Sequence, residues 1–220
     1  MMPSALPTEL LNIDGWTLRL HLPEGDGPHP VMLLLHGWSG DENVMWVFAH
    51  RISPRYVMIA PRAPYETPRG GYGWQPSLNG SWPLVDDLLP AARSLMNLLA
   101  RLASRPRFAS ANFAAVDVMG FSQGAAVTGT LALAFPSRVR AFALLAGFLP
   151  EDAEALAVSR PLEGKPVFVA HGTADRMVPV ERARRSVALL RQAGAQVTYC
   201  EDDTGHKLSA RCARALGDFW

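Results

Sequence analysis

An excess of charge of either sign is missing from this chain. Its 21 Lys and Arg face 20 Asp and Glu, a formal net charge of +1. That balance gives no electrostatic ground for a nucleic-acid partner or an anionic membrane surface. Cysteine is scarce. Cys200 and Cys212 are the only two, both in the last segment. They read as free thiols in a reducing compartment rather than as a disulfide framework, which favours a cytoplasmic location. No apolar run approaches the roughly 18 residues of a membrane span, so no integral membrane contact is expected. The opening stretch, Met1 to Pro7, has no basic region and no apolar core, so no secretory leader is expected. No internal repeat and no charged tail is visible. There is no Cys/His pair at metal-ligand spacing, no His-Glu-x-x-His, no phosphate loop and no Gly-rich dinucleotide turn. Neither metal nor cofactor is therefore expected. The composition is that of an ordinary globular chain, 49% apolar and 19% charged over 220 residues. That length supports one domain, residues 1–220, with a core that needs no staples.

The elements alternate. Asp14-Gly15 between extended runs predicts a hairpin over Leu10 to Leu22. Val31 to Leu35 and Tyr56 to Ala60 are continuously apolar, as buried central strands are. Asp41 is placed to cap a following helix that carries His50. Asp86 and Asp87 open a helix to about Ala103, with Pro90 in its first turn. Strands are expected at Val139–Leu145, Pro166–Ala170 and Gln196–Cys200. Helices are expected at Val180–Ala193, stopped by Gly194, and at about Leu208–Phe219. This pattern predicts an α/β fold, a mostly parallel central sheet with helices on both faces. Its ligands belong at the carboxyl ends of the strands.

The centre of the chain is Ala114 to Val127, a strand, a turn and a helix, with Gly120-x-Ser122-x-Gly124 at the turn. A Gly-x-Ser-x-Gly alone is a weak signal. Between an apolar strand and an Ala-rich helix it predicts a serine held at a strained apex, its hydroxyl above the sheet. Serine needs a base, and the base needs an acid to fix its tautomer. The strand exits supply them in the order Ser122, Asp175, His206. Asp202 and Asp203 are rival acids. His36 and His171, each in a His-Gly pair at a strand end, read as loop-shaping residues, and His21 and His29 lie far upstream. Two backbone N–H groups must meet an oxyanion. Gln123 offers one, directly after the serine, and Trp38 offers the other, in the loop after the first buried strand. The long irregular stretch Pro61 to Pro83, rich in aromatics, reads as functional. Trp38, Tyr72, Trp74, Phe148 and Met177 are candidate pocket residues.

These pieces together resemble the phospholipase/carboxylesterase family of small α/β-hydrolases, which includes acyl-protein thioesterases. The matching runs are Leu35-His36-Gly37-x-x-Gly40-Asp41, Pro61-Arg62-Ala63-Pro64, Gly120-Phe121-Ser122-Gln123-Gly124-Ala125, Leu145 to Pro150, His171-Gly172-x-x-Asp175-x-x-Val178-Pro179 and Gly205-His206. The resemblance implies the same triad and the same two amides. The chain departs from the family at Trp38, where Leu is common, and in the aromatic Gly70 to Trp74 stretch. Asp117, a charge inside the strand before Ser122, has no explanation in the sequence.

The expected function is cofactor-free hydrolysis of a small-molecule carboxylic ester with a small to medium acyl chain. Three alternatives stand beside it. One is an acyl-protein thioesterase or lysophospholipase with the same triad. Another is a serine peptidase, for which the chain has no room to hold a selecting domain. The third is a binding protein on a hydrolase fold. Exposed aromatics leave a homodimer open.

Overall fold

A computed structural model describes residues 6–78 and 80–220. The hairpin is present as β1 (Glu9–Ile13) and β2 (Trp16–His21). Its turn residues Asp14 and Gly15 both have positive φ, 49° and 82°. That backbone matches the twist of the strands, and Asp-Gly tolerates it. β3 (His29–Leu35) and β4 (Val57–Pro61) follow, separated by a 3₁₀ helix, Val44–Arg51. Asp41 does not cap that helix. Its Oδ1 accepts the Asn43 N–H at 2.8 Å, and Asn43 is the N-cap residue. The short side chain closes its own turn first.

Residues 61–83 contain a small hairpin, β5 (Tyr65–Glu66) with β6 (Tyr72–Gly73). Helix α1 (Val85–Ala103) starts where Asp87 accepts the Leu84 N–H at 2.8 Å. Pro90 falls in its second turn, not the first. Its missing N–H leaves the carbonyl of Asp86, an exposed residue, to water. The chain continues with β7 (Ala111–Phe121), α2 (Gln123–Ala134), β8 (Val139–Leu145) and the short α3 (Glu154–Ala157). It ends with β9 (Pro166–Gly172), α4 (Val180–Gln192), β10 (Gln196–Asp202) and α5 (Ala210–Phe219).

Eight strands form one sheet in the order β1-β2-β4-β3-β7-β8-β9-β10. β2 runs antiparallel to both its neighbours, and every pair from β4 onward is parallel. Alternate residues of β3 serve opposite faces. Val31, Leu33 and Leu35 pack in one core with Leu88 of α1, Ala125 of α2 and Val187 of α4. Met32 and Leu34 pack in the other with Met45 of the 3₁₀ helix and Leu216 of α5. Burial on both faces explains the unbroken apolar run.

The pairing of β7 with β8 slips between Val116 and Val118. Asp117 fills the irregularity and is 0% exposed. Its Oδ1 accepts the Ala141 N–H at 3.1 Å and Arg140 Nε–H at 3.0 Å. Its Oδ2 accepts the Tyr56 hydroxyl at 2.8 Å and pairs with Arg140 Nη2. The carboxylate thus replaces hydrogen bonds lost where the ladder slips. Burial first, then the carboxylate beside it, pushes the Tyr56 hydroxyl up to about 12.

Cys200 and Cys212 are not free thiols. They form a disulfide, with Cα atoms 5.6 Å apart. β10 carries Cys200 along the sheet edge, and the chain doubles back so that the first turn of α5 lies against it. Both residues are buried in the second core. Cysteine scarcity carries no information about that return.

Candidate active site

Ser122 joins β7 to α2 with φ 54° and ψ −119°. A residue with a side chain holds such a backbone only when its surroundings over-determine it. Here the Ser122 N–H donates to the Leu145 carbonyl of β8 at 2.9 Å. Gly124 allows the new helix to press on β3, because a Cβ there would overlap the Leu35 carbonyl. The N-terminus of α2 then presents its amides beside the serine.

The loop after β10 brings His206 to Ser122. His206 Nε2 lies 3.0 Å from Ser122 Oγ, and His206 Nδ1 lies 2.7 Å from Asp175 Oδ2. Asp175 follows β9, and its side chain is fully buried. Its other oxygen accepts the Met177 and Val178 N–H groups at 2.9 and 3.0 Å. Both carboxylate oxygens are therefore committed, which fixes the plane that the imidazole meets. An Nδ1–H donating to Asp175 leaves Nε2 free to accept from the serine hydroxyl. Burial works to raise the Asp175 pKa. The Val178 amide, His206 and the Met177 amide outweigh it and hold the carboxyl below its usual range. The Phe121 ring meets the His206 ring edge-on at 5.0 Å. Of the rival acids, Asp202 pairs with Arg211 at 3.2 Å and Asp203 is exposed.

The remaining histidines do other work. His36 Nδ1–H donates to the Gly37 carbonyl at 2.7 Å, and its Nε2 accepts the Ala63 N–H at 3.0 Å. This ties the exit of β3 to the stretch that follows β4. His171 Nε2–H donates to the Val178 carbonyl at 2.8 Å. Burial holds both imidazoles below the usual histidine value. His21 and His29 contact backbone carbonyls away from Ser122, and His50 is exposed on the 3₁₀ helix.

The loop after β3 runs against the serine turn, so closely that a Cβ at Gly37 would sit 3.0 Å from Ser122 Cβ. Among the described residues, neither the Trp38 nor the Gln123 amide donates to a protein acceptor. A cavity of about 440 Å³ opens onto Ser122 and His206. Of the candidate pocket residues, Trp38, Phe148 and Met177 line it, together with Leu78, Trp82 and Val178. Tyr72 and Trp74 lie outside it. Trp74 is 1% exposed, its indole N–H donating to the His36 carbonyl at 2.7 Å and its backbone N–H to Gln123 Oε1 at 3.0 Å. Tyr72 lies under the Arg62 guanidinium, 4.7 Å from its ring centre. Arg62 also grips Glu42 with two hydrogen bonds of 2.7 and 2.8 Å. That grip holds the buried Glu42 carboxyl below its usual range. Sequence reading missed Trp82 as a wall. It meets Phe148 edge-on at 4.7 Å, and the Arg182 guanidinium stacks over it at 3.8 Å. The aromatic density of residues 61–83 was the signal that pointed there.

The pattern of the phospholipase/carboxylesterase family matches residues 22–219. The carboxylesterase SOBER1 of Arabidopsis thaliana is 32% identical over 97 residues, 43% of this chain and 42% of its own length. A protein of Oryza sativa subsp. japonica described as a probable inactive carboxylesterase is 30% identical over 125 residues, 56% of this chain and 49% of its own. The match spans about half the length of these curated relatives. A carboxylesterase of Bacillus cereus has a like fold, with a TM-score of 0.79 at 21% identity over 94% of this chain and 93% of that one.

Proposed function

Since this chain belongs to the phospholipase/carboxylesterase family, we propose that it is an active serine hydrolase of carboxylic esters, with Ser122, His206 and Asp175 as its triad. What carries the reading is the unbroken run of two hydrogen bonds, 3.0 and 2.7 Å, from hydroxyl to imidazole to carboxylate. His206 Nε2 takes the Ser122 proton as Oγ bonds to the acyl carbon. The carbonyl oxygen becomes an oxyanion and receives the Trp38 and Gln123 N–H groups. As the oxyanion collapses, the bond to the alcohol oxygen breaks, and His206 returns the proton to that oxygen. An acyl-Ser122 ester remains. A water molecule gives its proton to His206 and attacks the acyl carbon. The acid leaves, and the proton returns to Ser122. No step calls for a cofactor. The cavity walls of Trp82, Phe148, Val178 and Leu78 favour a small to medium apolar acyl group.

The reading treats residues 1–220 as one catalytic domain. A cytoplasmic location loses the support of free thiols, since Cys200 and Cys212 are bonded. No helix among the described residues is long and apolar enough to cross a membrane.

The test is hydrolysis of p-nitrophenyl esters of rising acyl length beside acyl-thioesters and lysolipids, for the native chain and Ser122→Ala. The expected result is Ser122-dependent turnover that peaks at short or middle acyl lengths. A thioester or lysolipid preference would move the assignment within the family. Folded protein that neither turns over any ester nor labels with a fluorophosphonate would leave a binding protein, as the description of the rice relative would suggest.

A further inference from the structure

A second cavity, of about 430 Å³, lies beside the first. Gly37, Trp38 and Phe121 border both. The Trp38 indole is fixed in place. It packs on β6, where a Cβ at Gly73 would overlap the ring. The partition therefore rests on a bulky side chain at a position where the resemblance expects the smaller Leu. Beyond it the walls are Val44, Val47 and Phe48 of the 3₁₀ helix and Lys207 and Leu208, the two residues after His206.

An ester with its carbon at Ser122 Oγ and its oxygen toward the Trp38 and Gln123 amides sends its acyl and alcohol arms in divergent directions. Two cavities meeting at Trp38 and Phe121 offer one space to each arm. Both are open at the rim: Met177 and Leu78 in the first cavity are 69% and 53% exposed, and Val44 and Val47 in the second are 48% and 62% exposed. The acyl arm stays bonded to the enzyme between the two steps, and the alcohol arm must leave. The second cavity adjoins the chain just past the donor, at Lys207 and Leu208, and His206 passes its proton to the leaving oxygen. Lys207 is the one charged side chain lining it. Among the described residues, Lys207 is exposed and has no ion pair.

We propose that this second cavity is the leaving-group subsite, and that it takes an apolar alcohol arm ending in an anionic group, which Lys207 meets at the rim. The inference rests on the serine-hydrolase reading given above. Trp38 then serves twice, its amide toward the oxyanion and its ring as the wall between the two arms. Apolar contact with Val44, Val47 and Phe48 holds the arm, and the ammonium selects its far end.

The test uses esters of one acid, so that all share a single acyl-enzyme and a single deacylation step. Phenyl, 4-carboxyphenyl, 4-trimethylammoniophenyl and methyl butyrate are compared by kcat/KM, each divided by its own alkaline hydrolysis rate. The native chain is expected to favour the carboxylate over the trimethylammonium ester several-fold, and Lys207→Glu to reverse that order. Val47→Trp, at an exposed position, is expected to lower the aryl esters about tenfold against the methyl ester. It should leave the shape of the acyl-length profile for methyl esters as it was. A carboxylate-to-ammonium ratio that stays within twofold in Lys207→Glu overturns the anion preference. A Val47→Trp variant that alters the acyl-length profile but not the aryl-to-methyl ratio gives the cavity to the acyl arm and overturns the subsite. Absence of both ester turnover and fluorophosphonate labelling in the native chain defeats the hydrolase reading itself, and the subsite with it. Each failure is thus read from a different measurement.

Discussion

His171 Nε2 lies 3.4 Å from Asp175 Oδ2, the same oxygen that holds His206 Nδ1 at 2.7 Å. One N–H therefore faces both the Val178 carbonyl and the carboxylate, and it shapes the loop that aims Asp175. His171→Leu removes that donor and leaves the Val178 carbonyl without it. The loss of about 1 to 1.5 kcal/mol of hydrogen bonding is expected to appear as roughly a tenfold fall in kcat at nearly constant KM. His171→Asn should recover part of it. An unchanged kcat in His171→Leu would show that the Met177 and Val178 amides hold Asp175 unaided.

Under the proposed triad, Ser122→Ala removes the nucleophile and is expected to lower turnover by about 10⁵ to 10⁶, as nucleophile deletions in triads do. Asp175→Asn keeps the shape but presents an amide to Nδ1 and favours the wrong tautomer, at a cost of about 10⁴ in kcat. Steady-state kinetics on one p-nitrophenyl ester, with circular dichroism to verify folding, checks both.

Acid should weaken the fold before it protonates most carboxylates. His36 and His171 are neutral when folded, with pKa values below the usual 6.5. Above that value neither the folded nor the unfolded chain binds a proton there, and their contribution is complete. Below it the unfolded chain takes protons that the folded chain refuses. Stability then falls by up to about 1.4 kcal/mol per pH unit for each histidine, until the folded pKa is reached. Asp175, also depressed, adds its loss below the usual 3.8. Urea midpoints should fall steadily from pH 7 to pH 5, and His36→Gln should flatten that slope while lowering the midpoint at pH 7.

The Asp117–Arg140 pair makes an asymmetric prediction. The Asp117 side chain is fully buried, whereas that of Arg140 is 55% exposed. Arg140→Leu strands a carboxylate in the sheet and is expected to cost about 3 kcal/mol or more, the range for breaking a buried pair. Asp117→Asn frees an arginine that can turn to water, keeps one oxygen to accept the Ala141 N–H, and offers an NH2 that can donate to the Tyr56 hydroxyl in place of the bond it loses. Its cost should be smaller, about 1 to 2 kcal/mol. Denaturant melts that rank the two the other way would refute this account.

The sequence made the sheet centre and the turn at Ser122 visible because their signals are local. Asp14-Gly15, the apolar run before Leu35 and Gly120-x-Ser122-x-Gly124 each state a backbone requirement within a few residues. His206 and Asp175 were legible because strand exits in an alternating chain converge on one edge. What stayed hidden depends on distant partners. Asp117 looked out of place until the slipped register put Ala141 and Arg140 beside it. Tyr72 and Trp74 shared the aromatic look of pocket residues, yet one is paired with Arg62 and the other fastens the His36 loop. Trp82, less conspicuous in the sequence, lines the cavity. The 3₁₀ helix and the place of Pro90 in the second turn of α1 hinge on which residue starts each helix, the detail that pattern reading resolves least.

The bond between Cys200 and Cys212 encloses His206 midway in a short ring of chain. Closing a loop of that size is worth about 3 kcal/mol in the chain-entropy account. The benefit falls on the segment that carries His206, not evenly on the whole molecule. If α5 loosens at its far end, the imbalance stops at the ring, and the imidazole keeps its post. Under thiol reductant, endurance at elevated temperature should shorten well before the initial velocity at room temperature declines. Inactivation half-lives with and without dithiothreitol would measure how much of the proposed activity's endurance this one tether provides.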